Sequence, residues 1–149
     1  MNIRHGKKED IPFIVEFNKA MALETEMKDL NSPILTKGVT ALFNNSNNGF
    51  YLIAEKNNKL CGQLMITKEW SDWRNGIFWW IQSVYIHPDH RKKGIYKKLH
   101  KEVKKLAQED GNVCGIRLYV DRSNVNAKNV YLAMGMKETE YELYEEDWS

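Results

Sequence analysis

The part of this sequence best suited to chemistry is a basic turn that follows a long apolar stretch. The turn carries Arg91, Gly94 and Tyr96 in the pattern Arg-x-x-Gly-x-Tyr, and an amphipathic segment begins at its last residues. A turn that leads from a strand into a helix leaves backbone N–H groups without partners at the positive end of the helix dipole. This arrangement predicts a phosphate-binding site.

Two common phosphate-binding designs do not fit this turn. A P-loop needs two glycines followed by Lys and Ser or Thr, and a dinucleotide fingerprint needs three glycines where the helix opens. Of these glycines the turn has only Gly94. A second motif lies further on, where Asn124, Ala127, Tyr131 and Gly135 recur at intervals of three or four residues.

Size and composition favour one globular domain over residues 1–149. Of the 149 residues, 42% are hydrophobic and 28% are charged, which excludes an intrinsically disordered protein. No apolar run approaches the roughly 20 residues that cross a bilayer, and the N-terminus has no signal-peptide core. Cys61 and Cys114 lie far apart without metal-ligand spacing. We therefore expect reduced thiols, no metal site, no membrane partner and a cytoplasmic location.

Hydrophobic periodicity predicts an α/β (α+β) fold. Only the segment from Ile77 to Val120 requires a parallel β-α-β crossover, through a clearly amphipathic helix over Gly94–Glu109. The earlier strands resemble an antiparallel meander. The predicted strands are Ile3–Arg4, Phe50–Glu55, Leu60–Thr67, Ile77–Ile86, Cys114–Val120 and a final strand or hairpin over Met136–Tyr144, and the remaining helices begin near Lys8, Leu35 and Asn124.

In this element order the two motifs resemble those of the GNAT superfamily of N-acetyltransferases. That family has a (Gln/Arg)-x-x-Gly-x-(Gly/Ala) pyrophosphate loop after its fourth strand and Asn-x-x-Ala-x-x-x-Tyr-x-x-x-Gly-Phe in its C-terminal half. The resemblance implies a mixed, mostly antiparallel central sheet of six to seven strands flanked by about four helices. Two residues depart from the pattern: Tyr96 replaces Gly or Ala, so its side chain must point away from the pyrophosphate, and Met136 replaces Phe.

The resemblance implies acetyl-coenzyme A (acetyl-CoA) as cofactor and acetyl donor. Its pyrophosphate would lie on the N–H groups of the turn, and its pantetheine arm would pair with the strand edge as an added strand does. For Asn124 a helix N-cap is the alternative role, and for the basic side chains of the turn it is simple solvation. The implied donor-binding residues are Val84, Tyr85, Ile86, Arg91, Lys92, Lys93, Gly94, Ile95, Tyr96, Asn124 and Tyr131.

Acetyl transfer to an amine makes three chemical demands. The amine must lose a proton from a group whose pKa is about 10.4, the carbonyl oxygen needs a hydrogen-bond donor, and the thiolate needs an acid. The resemblance assigns Tyr131 as general acid, with a packing role as the alternative, and a backbone N–H near Val84 as carbonyl donor. Glu24 is the first choice of base, and the other candidates are Glu26, Glu69, Gln82 and Ser83.

The favoured function is an N-acetyltransferase that moves an acetyl group from acetyl-CoA to a primary amine of a small molecule or peptide. Direct attack in a ternary complex is the expected mechanism. The alternative is a module of the same fold that senses acyl-CoA without turnover.

Nucleic acid is not an expected partner, because the Lys-rich helix has no aromatic residue after Tyr96. A homodimer is common in the family, and no motif identifies the acceptor. Trp79 and Trp80 are expected on opposite faces of their strand.

Overall fold

The computed structural model describes all 149 residues, which its internal contacts divide into two compact units, Met1–Tyr119 and Val120–Ser149. That the chain forms a single domain stays a prediction. The first unit contains β1 (Asn2–His5), α1 (Ile11–Glu26), α2 (Ser32–Asn44), β2 (Gly49–Lys56), β3 (Lys59–Ser71), β4 (Gly76–Ile86), α3 (Ile95–Asp110) and β5 (Val113–Arg117). The second unit contains α4 (Val125–Ala133). None of these helices is long and apolar enough to cross a membrane.

The strands form one sheet in sequence order, β1-β2-β3-β4-β5. The first four pair antiparallel, and β5 pairs parallel with β4 after the crossover through α3. The β2–β3 hairpin turns at Asn57 and Asn58, whose left-handed φ angles of 52° and 62° suit a two-residue turn. The predicted α+β class, with a mixed and mostly antiparallel sheet, is confirmed.

Each face of the sheet has its own hydrophobic core. Helix α3 packs on one face, where Leu99 and Val103 are fully buried. Helices α1 and α2 pack on the opposite face through Ile14, Val15 and Val39. Burial of these side chains is the main stabilising contribution, at about 25 cal/mol for each Å² of apolar surface removed from water. It also fixes where α3 begins relative to the end of β4.

The adjacent tryptophans of β4 lie on opposite faces of the sheet, as predicted. Trp79 is 4% exposed and belongs to the core on the α3 side. Trp80 lies on the other face, where its Nε1 donates a hydrogen bond to Glu69 Oε1 at 3.0 Å. This alternation follows from the two-residue period of a strand.

Two sequence-based predictions about strands are wrong. The sheet has five strands rather than six to seven, and residues 136–144, predicted as a final strand or hairpin, form no strand. The apolar side chains of this tail remain in solvent, with Tyr141 75% and Tyr144 90% exposed. An alternating pattern specifies a strand only where one face is buried against a neighbour. In addition, β3 continues to Ser71, beyond its predicted end at Thr67.

His100 is a buried polar residue on α3. Its side chain is 0% exposed, its Nδ1 lies 2.9 Å from the Tyr96 hydroxyl oxygen, and its Nε2 has no hydrogen-bond partner. Burial, together with the positive charge of Lys104, lowers the pKa of His100 to about 4. The imidazole is therefore neutral at pH 7, since a desolvated ring disfavours its charged form.

This depressed pKa predicts a loss of stability in mild acid. The unfolded chain protonates His100 near pH 6.5 and the folded chain only near pH 4. The contribution is therefore complete above about pH 6.5 and is lost as the pH falls toward about 4, at a cost of about 3 kcal/mol. We expect His100→Gln to have a smaller drop in Tm than the wild type between about pH 7 and pH 4.5, measured by circular dichroism. The exposed His5→Gln is the control, and equal drops in all three proteins would contradict a buried neutral His100.

Candidate functional site

Strands β4 and β5 pair over only part of β4. Their register runs from Ile77 opposite Val113 to Trp80 opposite Arg117, where it ends. Because β4 continues to Ile86, residues 81–86 have an edge without a ladder partner on the β5 side. Such an edge offers N–H and C=O groups to an extended, peptide-like ligand.

A β-bulge lies within this same stretch of β4. The β3–β4 register shifts between Gln63 and Met65, and Ser83 has a left-handed φ of 51°, a conformation that costs a non-glycine residue about 1–2 kcal/mol. The fully buried Gln63 donates Nε2 to the Ser83 carbonyl oxygen at 3.2 Å. Bulges bend a strand and redirect its backbone groups, and here the bulge faces the open edge. The bulge was not predicted from the sequence. The one sequence signal for it is the polar Gln63 within an apolar strand.

Strand β4 leads into the basic turn through a short 3-10 helix over Pro88–His90. The side chains of the turn are tied to its own backbone. Arg91 Nε donates to the Ile86 carbonyl oxygen at 2.8 Å, and Lys93 Nζ donates to the Asp89 carbonyl oxygen at 3.0 Å. A left-handed φ of 61° at Lys92 then reverses the chain toward α3.

The N-terminus of α3 has no side-chain cap. Gly94 occupies the N-cap position with a φ of 74°, which favours glycine. The first helical hydrogen bond runs from Lys98 N to the Gly94 carbonyl oxygen at 3.2 Å. A Cβ on Gly94 would meet no atom within 4 Å. Because no side chain caps the first turn of α3, the N–H groups of this helix terminus are suited to an anion.

Tyr96, the unusual residue of the turn, is directed toward the core. Its hydroxyl pairs with His100, its ring meets the His100 ring edge-on with centroids 5.6 Å apart, and it packs on the core beneath α3. The side chain is thus directed inward, an orientation compatible with the prediction that it points away from a pyrophosphate on the turn.

The predicted base, Glu24 at the end of α1, lies against the basic turn. Its Oε2 accepts a hydrogen bond from Arg91 at 2.7 Å, and its Oε1 accepts one from the Tyr85 hydroxyl at 3.1 Å. The bond from Arg91 lowers the pKa of Glu24, and burial raises the pKa of Tyr85. The Tyr85 ring also lies 5.1 Å from the Phe17 ring. The structure therefore brings together α1, the open strand and the turn.

The other proposed bases are arranged differently. Glu69 accepts hydrogen bonds from Trp80 and from Arg117. Gln82 donates Nε2 to Thr67 Oγ1 at 2.6 Å, and Glu26 is exposed. Glu69 and Gln82 are therefore held by other residues of the sheet.

The second sequence motif builds α4 in the second unit. Asn124 caps this helix, with its Oδ1 accepting from Ala127 N at 3.1 Å, so the N-cap role is confirmed. The helix closes at Gly135, with a φ of 94° and a hydrogen bond from Met136 N to the Tyr131 carbonyl oxygen. Tyr131 itself is partly buried, and burial raises its pKa. Its phenol is therefore protonated at neutral pH and is able to donate a proton.

Comparisons with known proteins agree with the two motifs. The family model described as "Acetyltransferase (GNAT) family" matches residues 19–136. No curated protein sequence matches the chain. A "possible acetyltransferase" from Clostridium difficile 630 has a similar solved structure, with 43% sequence identity and a TM-score of 0.91 over 98% of this chain and 96% of that one.

Two more distant solved structures share the fold. A "predicted acetyltransferase" from Clostridium acetobutylicum, solved with acetyl-CoA, has 24% identity and a TM-score of 0.80, over 97% of this chain and 95% of that one. A ribosomal-protein-alanine N-acetyltransferase from Brucella melitensis biovar Abortus 2308 has 15% identity and a TM-score of 0.79, over 99% of each chain.

The family match spans most of the chain, including the open strand, the basic turn and the Asn124–Gly135 motif. With a solved relative at 43% identity over nearly the same length, this chain belongs to the GNAT acetyltransferase family.

Proposed function

We propose that this protein is an N-acetyltransferase that transfers an acetyl group from acetyl-CoA to a primary amine of a small molecule or peptide. The observation that carries the proposal is the continuity between the open edge of β4 at residues 81–86 and the uncapped N-terminus of α3. A strand edge followed at once by a phosphate-binding helix terminus matches a ligand with a peptide-like arm and a pyrophosphate.

The residues present fit the donor that this family uses, acetyl-CoA. The backbone of Val84, Tyr85 and Ile86 pairs with the pantetheine arm, and the N–H groups after Gly94 hold the pyrophosphate. A solved neighbour of the same fold contains acetyl-CoA, which supports this placement. When bound, the donor supplies a thioester carbon as the electrophile. The remaining donor contacts that we propose come from Arg91, Lys92, Lys93, Ile95, Tyr96, Asn124 and Tyr131.

The protein's own groups then control protons and charge. The acceptor amine, once neutral, forms the new C–N bond within a ternary complex, while the C–S bond breaks and the sulfur leaves as a thiolate. The nitrogen releases one proton to solvent, from which Tyr131 regains its proton after each turnover. A backbone N–H near Val84 donates to the carbonyl oxygen as it gains charge. Tyr131 gives its proton to the thiolate, which its raised pKa permits at neutral pH.

Glu24 as general base stays a prediction, and its contacts favour another role. Both carboxylate oxygens are engaged, one by Arg91 and one by Tyr85, and the lowered pKa makes the carboxylate a weaker base. We infer that Glu24 holds Arg91 against α1 while the turn is free of donor. The phosphates of the donor and the carboxylate of Glu24 then compete for the guanidinium of Arg91.

A second candidate function is a module that binds acyl-CoA without turnover. The carboxylate of Glu24 favours it, because both of its oxygens already accept hydrogen bonds and its pKa is lowered. Turnover with any amine would exclude this candidate.

A homodimer and a cytoplasmic location are further proposals. The apolar side chains of the C-terminal tail, among them Leu143 and Trp148, are 70% and 91% exposed, which is typical of a surface that meets a partner. Light scattering on the purified protein measures the assembly, and the mass of one chain would contradict a homodimer.

The proposed reaction is tested by thiol release. We expect the protein to release free coenzyme A from acetyl-CoA in the presence of a suitable primary amine. Tyr131→Phe should lower kcat by about 100-fold or more, because general acid catalysis contributes about that much. Coenzyme A binding, measured by calorimetry, should change little. Tyr144→Phe, in the exposed tail, is the matched control. An absence of coenzyme A binding would contradict both candidate functions.

The role of Glu24 is tested in the same assay. If Glu24 competes with phosphate for Arg91, Glu24→Gln should tighten coenzyme A binding by up to about fivefold, the range expected for a half-exposed ion pair. The saturating kcat and its pH profile should stay near those of the wild type. Glu26→Gln, at the same helix end and without contact to Arg91, is the control. A fall in kcat of about 100-fold with loss of the acidic limb of the profile would identify Glu24 as the base.

A further inference from the structure

A polar and aromatic cluster lies on the sheet face opposite α3, beside the open edge of β4. It is formed by Glu69 on β3, Phe78 and Trp80 on β4, and Arg117 and Tyr119 at the end of β5, all within residues 1–119. The register places Glu69 opposite Phe78 and Trp80 beside Arg117, which puts these side chains on one face. None of these residues serves donor binding or proton transfer in the proposed function.

The Glu69 carboxylate is held in place from one side. Its Oε1 accepts hydrogen bonds from Trp80 Nε1 at 3.0 Å and from Arg117 Nη1 at 2.9 Å. The Arg117 guanidinium is fixed in turn, since its central carbon lies 3.6 Å from the centroid of the Phe78 ring. Glu69 Oε2 accepts no hydrogen bond from the protein, and the side chain is 44% exposed. A preoriented carboxylate with one oxygen left over is suited to an ammonium group.

A pair of aromatic rings begins beside this carboxylate, where Trp80 contacts Glu69. The centroids of Trp80 and Tyr119 are 6.1 Å apart with their planes inclined by 55°, and Tyr119 is 62% exposed. Two inclined ring faces next to a carboxylate attract a cation through the ring quadrupoles as well as by charge.

The charged residues of this face allow one alternative to a cationic ligand. Arg117 and Arg74 both lie over Phe78, so an acceptor with a carboxylate would be the rival ligand. Arg117 is already paired with Glu69, and its side chain is only 25% exposed. Glu69 has the more accessible group with a free hydrogen-bonding site, and this favours a cation.

The cluster lies close to the reaction site of the proposed function. Trp80 precedes the open stretch at 81–86 by one residue, and the bulge at Ser83 follows three residues later. Because Trp80 Nε1 contacts the Glu69 carboxylate, the distance is counted from Trp80, and the two to four residues to positions 82–84 span about 7–13 Å at about 3.3 Å a residue. An acceptor with its reacting amine at the bulge would therefore extend a second group to Glu69.

We propose that Glu69, beside the ring pair of Trp80 and Tyr119, binds a distal ammonium group, so that the preferred acceptors are diamines. This inference rests on the proposed acetyltransferase function. At about 1.2 Å of reach for each bond of an extended chain, six methylenes separate two amines by about 8 Å, within the range that β4 sets.

The test compares three amines of equal chain length: 1,6-diaminohexane, hexylamine and 6-aminohexanoate. The kcat/KM for 1,6-diaminohexane should exceed that for hexylamine by about tenfold, the lower end for a hydrogen bond to a charged group. Glu69→Gln should remove this preference through KM, with kcat at saturation and coenzyme A binding unchanged. The control Glu109→Gln, which removes a carboxylate on α3, should leave the preference intact. Trp80→Phe, which deletes one donor to Oε1, should weaken the preference while retaining the carboxylate.

The outcomes separate this inference from the function on which it rests. Equal kcat/KM for the diamine and the monoamine, a preference for 6-aminohexanoate, or donor binding without transfer to any of the three would overturn the ammonium site and leave donor binding intact. Failure to bind coenzyme A would instead overturn the proposed function. Circular dichroism of Glu69→Gln checks the fold, and a preference retained by the folded variant would also overturn the inference.

Discussion

The separation of β4 from β5 after Trp80 and Arg117 is the constraint on which the rest of the structure depends. On one side, β3 continues to hold β4, and Gln63 secures the bulge at Ser83. On the other side the backbone groups of residues 81–86 have no ladder partner, and buried groups of this kind must find one. A strand edge left open inside an otherwise paired sheet costs stability, and in the proposed function the donor takes the place of the missing strand.

The two cores give this open edge its surroundings. On the α3 side, Leu99 and Val103 fix the helix against the sheet, so that its N-terminus lies at the end of β4. On the other side, the last turn of α1 carries Glu24, whose carboxylate contacts Arg91 in the turn. The proposed donor follows the edge of β4, and the proposed acceptor approaches over the sheet face that carries Glu69. In this proposal both substrates bind along β4. The backbone contacts that β4 provides cannot be predicted from a side-chain motif.

The sequence predicted the elements with strong periodicity and the turn between them. The amphipathic pattern of α3 placed Gly94 at its start. Tyr96 was expected to point away from the pyrophosphate, and its hydroxyl pairs with His100. The tail was predicted wrongly, because its alternation of apolar and acidic residues describes a strand only when a neighbour buries one face. The bulge at Ser83 and the pairing of Glu24 with Arg91 could not be predicted. Both are contacts between residues 20 or more positions apart in the chain, and they depend on tertiary packing.

Amide hydrogen exchange with and without coenzyme A tests whether the donor binds along the open edge of β4, because it reports on the backbone groups themselves. The account predicts slower exchange on binding in two segments, residues 82–86 of β4 and residues 93–97 at the start of α3, with β1 and β2 unchanged. Slower exchange only in other segments of the chain, or binding without slower exchange in either segment, would contradict a donor held on the open edge of β4.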